Sequence, residues 1–204
     1  MKKVLLSILI TGTVITNAFA GNIIVQADQS QTGWVNNYGY VNVLASGTPF
    51  SPYYVGAYGY TNYRSIFTFD TSGVPADADI NYVLLHVSFS IADDDYEYVF
   101  ENTAIDFAGT SGFGGSFTVT SLDYSAAAAA SFETVIANAA IGGLMLNLDM
   151  DQNPRDLNDY INRNGKTQIR LRMFQNPDSL LTTYTGMYDT NTYTYKTQLL
   201  VGWE

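Results

Sequence analysis

Between Tyr82 and Ile91 apolar side chains recur at every second position. Val83, Leu85, Val87, Phe89 and Ile91 fall on one side, and His86, Ser88 and Ser90 fall on the other with Tyr82 and Leu84. A period of two is that of a strand with one face in a core, whereas a helix repeats every 3.6 residues. The pattern returns where Leu144, Leu146 and Leu148 alternate with Met145, Asn147 and Asp149. It returns again where Ile169, Leu171 and Met173 alternate with Gln168, Arg170 and Arg172. Weaker strands are expected near Ile23 to Ala27, Tyr40 to Leu44, Arg64 to Phe69, Tyr98 to Phe107, Phe117 to Thr120, Thr183 to Tyr188 and Gln198 to Trp203. The intervals between them carry Gly, Pro, Asn and Asp in turn-forming mixtures.

About ten strands with little helix between them predict an all-β, antiparallel β-sandwich, because parallel strands need long crossovers. A jelly-roll-like arrangement is the expected version. Two segments depart from the pattern. Arg155 to Arg163 reads as a short helix, with Asp156 as N-cap, Leu157, Tyr160 and Ile161 on one side, and Asn164 and Gly165 as the stop. The Ala-rich stretch Ser125 to Ala140 reads equally as a loose helix or a long crossover loop, since it lacks a wide apolar stripe.

The chain opens with Met1, Lys2 and Lys3, then an apolar run from Val4 to Ile15, then Ala18, Phe19 and Ala20 before Gly21. A basic end, a short apolar stretch and an A-x-A site predict a secretory signal peptide over residues 1–20. The apolar run is too short to span a bilayer. A single domain is expected from Gly21 to Glu204, in a secreted or extracytoplasmic setting: extracellular, surface-associated or periplasmic. There is no Cys, so neither a lipidated N-terminal thiol nor a disulfide is available.

Nine basic residues stand against 19 acidic ones, for a net charge of −10. Loss of Lys2 and Lys3 with the signal peptide leaves 7 against 19, or −12. Nucleic acid is excluded as a partner on that balance, because phosphate binding needs concentrated basic surface. With no Cys and one His, His86, cysteine-protease and His-rich zinc chemistry are excluded as well. Nothing singles out one carboxylate pair for glycoside cleavage, so no catalytic residue is expected.

The segment Asn62-Tyr63-Arg64-Ser65-Ile66-Phe67-Thr68-Phe69-Asp70-Thr71-Ser72-Gly73-Val74-Pro75 is followed by Ala78, Asp79, Ile80 and the Val83 strand. It resembles the DNRLRE-type domains, secreted β-sandwich modules related to carbohydrate-binding module family 96 and the disaggregatase-related repeats. The run Tyr160-Ile161-Asn162-Arg163-Asn164-Gly165-Lys166-Thr167-Gln168-Ile169-Arg170-Leu171-Arg172 is similar to the family's short helix and arginine-bearing strand, and Gln198 to Val201 to its terminal strand. The resemblance implies a jelly-roll-like fold in extracellular proteins, with polysaccharide binding in some members. It supplies no binding residues that match here one by one.

Three groups of residues are candidates for recognition. Trp34, Tyr38, Tyr40, Tyr53, Tyr54, Tyr58, Tyr60 and Tyr63 crowd what reads as a loop-rich region with Gly39, Gly56 and Gly59. Trp34, Tyr54, Tyr58 and Tyr60 are the leading choices there, since an aromatic ring gives a flat apolar face and Tyr adds a hydroxyl. The ordinary alternative is that these rings finish the rim of the sandwich. Arg170 and Arg172 share a strand face and can grip a carboxylate-bearing sugar, or answer acids on neighbouring strands. Asp93, Asp94 and Asp95 are candidate ligands for a structural calcium ion, against a plain solvated acidic loop. Asp149, Asp151 and Asn153 match the opening of a calcium loop less well, because Pro154 stands where its Gly belongs.

The expectation is therefore a non-enzymatic module that contacts a polysaccharide or cell-surface glycan through an aromatic loop surface, with no cofactor beyond a calcium ion. Two alternatives stand beside it. One is a structural or adhesive protein that self-associates through strand edges, and the other is a glycan-active enzyme.

Overall fold

The computed structural model describes residues 21–43, 53–58, 60–87, 89–90, 103–134, 144–147, 157–173, 183–187 and 197–204. Within them lie thirteen strands: β1 (Gly21–Gln26), β2 (Gly33–Asn36), β3 (Val41–Val43), β4 (Tyr53–Tyr58), β5 (Thr61–Asp70), β6 (Ile80–Val87), β7 (Phe89–Ser90), β8 (Thr103–Phe107), β9 (Ala130–Thr134), β10 (Leu144–Asn147), β11 (Lys166–Met173), β12 (Thr183–Met187) and β13 (Gln198–Trp203). All their ladders are antiparallel.

The strands form two sheets. The smaller has the order β1-β13-β6-β10, and the larger contains the run β5-β11-β8-β9. Along the chain, β1, β6, β10 and β13 belong to the small sheet, while β5, β8, β9 and β11 belong to the large one. Those eight strands reproduce the two interlocked Greek keys of a jelly roll. The remaining strands extend the large sheet at the start of β5. There β4 pairs with Thr61–Tyr63 and carries β12 and β7 beyond it, while β2 pairs with Tyr63–Ile66 on the opposite side and carries β3.

The alternating side chains do what their period requires. Val83, Leu85 and Val87 of β6 and Leu199 and Val201 of β13 meet Phe67 and Phe69 of β5, Ile105 and Phe107 of β8, and Ile169 and Leu171 of β11 in one buried core. Each such side chain stabilises the fold by about 1.5–3 kcal/mol relative to exposure. Phe107, Phe132 and Tyr160 close one end of this core, with ring centroids 5.5–5.8 Å apart.

Several sequence expectations are corrected. The run from Tyr82 to Ile91 is divided: Ile80–Val87 lies in the small sheet, but Phe89–Ser90 pairs with β12 of the large one. A chain that switches sheets makes a corner of the sandwich, and hydropathy carries no mark of it. The expected helix is a single 3-10 turn, Leu157–Asp159, among the described residues. The Asn158 side chain ties this turn to the start of β6, accepting from the Ile80 N–H at 2.9 Å and donating to Asp79 at 2.8 Å. The chain is then turned into β11 by Asn162, whose N–H donates to Thr167 Oγ1 at 2.9 Å.

Phe117–Thr120 forms no strand. In the Ala-rich window, Ala130–Thr134 is strand β9, because Ala130 and Phe132 fill the core. The Tyr-rich region holds β2 and β4 where loops were expected, and β3 lies within the strand expected near Tyr40 to Leu44.

Candidate aromatic surface

The outward face of the large sheet decides where a ligand can reach. Antiparallel register places Ile66, Arg170, Asp106 and Ser131 in one row across β5, β11, β8 and β9. Asp106 Oδ2 accepts from Arg170 Nε at 2.8 Å, Arg170 Nη2 at 2.6 Å and Arg172 Nε at 2.8 Å. Its other oxygen accepts from Ser131 Oγ at 2.6 Å. Burial pushes the Asp106 carboxyl up, but the bonds from Arg172 and Ser131 and the charge of Arg170 outweigh it and leave it below the usual carboxylate range. Burial also lowers Arg170 from its ordinary value.

The same row holds down the segment between β8 and β9. Arg170 Nη1 donates to the carbonyls of Asp123 and Ala126 at 2.6 and 2.9 Å, and its guanidinium lies 4.3 Å from the Phe113 ring centre. Arg64 donates to the Tyr124 carbonyl and sits over that residue's ring. Gln168 accepts from the Phe113 N–H at 2.8 Å and donates to the Phe117 carbonyl at 3.0 Å. Under this flap Val35, Ile66, Ala108, Phe113 and Val119 make a second, smaller core. Arg170 is 3% exposed, so the arginine pair offered as a grip for an acidic sugar is turned onto the chain's own acid and carbonyls. Arg172 is half-buried beside it.

The aromatic candidates separate into two groups. Trp34 is half-buried, opposite Ser65 on the sandwich side of β2, and packs edge-on against Tyr63 at 5.3 Å. Tyr54 and Tyr58 lie on β4, and their rings fall outside the described structure, as do Asp93, Asp94, Asp95, Asp149, Asp151 and Asn153 altogether. Among the described residues no cluster of three or more potential metal ligands is present.

Tyr60 belongs to the other group. It is 69% exposed at the β4–β5 turn, and Tyr38 (61%) and Tyr40 (69%) project from the β2–β3 turn. Asn37 joins the two turns. Its N–H donates to the Asn62 carbonyl at 3.1 Å, its side-chain oxygen accepts from the Asn62 N–H at 2.9 Å, and its amide nitrogen donates to the Tyr60 carbonyl at 3.0 Å. Asn36 is buried and shapes the hairpin, accepting at Oδ1 from the N–H groups of Tyr38 and Tyr40 at 3.1 and 3.0 Å. Gly39, at φ 80°, completes the turn in the left-handed region that favours glycine.

These links bring the turns that carry Tyr38, Tyr40 and Tyr60 to one end of the large sheet. Leu122, also exposed, lies on the adjoining 3-10 turn Ser121–Tyr124, which borders Gly39. Tyr38 and Tyr40 stand in the Tyr-rich stretch but were not leading choices; the Asn-Asn-Tyr-Gly run at 36–39 was the turn signal that marks them.

No protein-family model matches the sequence, and no curated protein matches it. The likeness to DNRLRE-type domains rests on the motif residues alone. No helix among the described residues is long and apolar enough to cross a membrane.

Proposed function

We propose that this is an exported, non-enzymatic carbohydrate-binding β-sandwich of the DNRLRE-like kind, which contacts polysaccharide through the tyrosines at the end of its larger sheet. The observation that carries the reading is the set of three rings, Tyr38, Tyr40 and Tyr60, each more than half exposed on turns locked together by Asn37. Exposed aromatic rings do not add to a core. Held on a fixed frame they offer flat apolar faces to the C–H side of a sugar ring and hydroxyls to its edge, at small entropic cost. Titration of the protein against a glycan panel tests this. Saturable binding that falls in Tyr60→Ala and Tyr38→Ala, at unchanged melting temperature, supports it, and a flat response to every glycan rejects it.

A second reading is assembly through a strand edge. Strand β1 lies at the end of the small sheet's order, its six residues carry no charge and no Pro, and Ile24 on it is half exposed. Uncharged edges of this kind pair with other chains. Light scattering over a concentration series checks it: growth of the particle that Ile24→Lys abolishes favours assembly, and a monomer throughout speaks against it.

A further inference from the structure

We infer that the tyrosine-bearing turns take a neutral polysaccharide and discriminate against acidic ones. This rests on the sugar-binding reading and narrows it to a class of ligand. The first ground is the composition of the surface itself. Asn36 to Val41 and Tyr60 to Asn62 contain no charged side chain, and the neighbouring Ser121 and Leu122 add none. Asp123, the next residue, is buried and turned back to accept from the Thr120 N–H at 2.8 Å.

The second ground is the state of the cations. Five basic residues lie among the described ones, and each is held by its own chain. Lys166 bonds Asp28 at 2.9 Å and Gln31 at 2.6 Å. Arg163 donates to the Ala76 carbonyl at 3.0 Å and to Asn158. Arg64 is spent on Tyr124, Arg170 on Asp106 and the flap carbonyls, and Arg172 on Asp106 and Ser131. A uronate or sulfate group seeking Arg170 would have to displace Asp106, taking from a buried carboxylate its buried partner.

The third ground is the field of the whole chain, which is −10. A polyanionic glycan is repelled by that charge before any contact forms. A neutral pyranose chain meets no such barrier, and tyrosine hydroxyls both donate to and accept from its hydroxyls.

The experiment is affinity electrophoresis, backed by calorimetry, of the protein against neutral glucans, mannans and xylans and against polygalacturonate, alginate and a sulfated glycan, at low and high salt. Saturable binding to a neutral polymer, insensitive to salt and weakened about tenfold or more in the Tyr38→Ala/Tyr60→Ala variant, is the expected result. Binding to an acidic polymer as tight as to any neutral one, and loosened by salt, overturns the neutral-ligand inference while leaving sugar binding in place. Silence across the panel overturns sugar binding itself. Circular dichroism of the double variant keeps loss of fold distinct from loss of contact.

Discussion

Arg170 sets both Nε and Nη2 on a single oxygen of Asp106, at 2.8 and 2.6 Å, from the neighbouring strand. The two side chains are almost wholly buried, 4% and 1% exposed, so neither has water to fall back on. Replacing Asp106 with Ala leaves two guanidinium groups facing each other with no acid between them. We expect a loss of about 3–5 kcal/mol, the usual cost of breaking a buried pair from one side. Urea unfolding measures it, and a loss under about 1 kcal/mol would show that Arg170 is held by the carbonyls of the flap instead.

Gln168 is the second fastener of that flap. Gln168→Leu removes the acceptor of the Phe113 N–H and the donor to the Phe117 carbonyl. A destabilisation of about 1–3 kcal/mol is expected for buried backbone groups left without a partner. Hydrogen exchange at Phe113 should quicken more than exchange at Leu85 in the sandwich core.

Gly112 cannot be replaced without distortion. Its φ is +79°, and a Cβ there would stand 2.3 Å from the Ser116 carbonyl oxygen. Gly112→Ala should cost about 1–3 kcal/mol, read as a lower melting temperature. The exposed Gly115 also has positive φ but nothing near its Cβ position, so Gly115→Asn, a residue that tolerates the left-handed region, should cost less than Gly112→Ala.

Acid should weaken the fold through Asp106. Its folded pKa lies below its ordinary value, so its contribution is complete above the unfolded value of about 3.9 and is lost as pH falls through the folded one. Asp28 and Asp70 are shifted in the same direction: for Asp28 the bonds from Ser30 and Lys166 outweigh burial, and for Asp70 the bonds from Ser72 dominate. Asp123 runs the other way, raised by burial, so its contribution is present at low pH and lost as pH rises through its folded value. Among the described residues three lowered carboxylates stand against one raised, which predicts a urea midpoint that drops on acidification below about pH 4. The drop should be shallower in Asp106→Asn, and an equally steep one would remove Asp106 from the account.

Asn37 touches no ligand in the proposed mode, yet it sets the spacing of the two turns. Asn37→Ala should lower glycan affinity severalfold with little change in melting temperature, since its bonds are at an exposed site. Unchanged affinity would mean that the rings act singly rather than as a set.

The two-layer fold was legible because Val83, Leu85 and Val87 obey a period that burial imposes directly. The turn at Asn36 to Gly39 carries a local mark of the same sort in its Asn-Asn-Tyr-Gly run. What stayed hidden depended on residues distant along the chain. Asp106 and Arg170 are 64 positions apart, and only strand register makes them neighbours. The flap over the outer face carries no strand period, because its backbone is satisfied by local turns and by Gln168, Arg170 and Arg64 rather than by a ladder. The same side chains explain why a reading of Arg170 and Arg172 from their strand alone left two answers open.

Among the described residues, the outer face of β5, β11 and β8 is sealed by the segment that connects β8 to β9, so no polymer lies across that part of the sheet. In the proposed mode a glycan would meet the exposed rings of Tyr38, Tyr40 and Tyr60 on the two joined turns. If that mode holds, retention on a glycan mesh would gain from many copies engaging the same strand, so that crowding on a surface as well as the strength of one grip would set how long the protein stays.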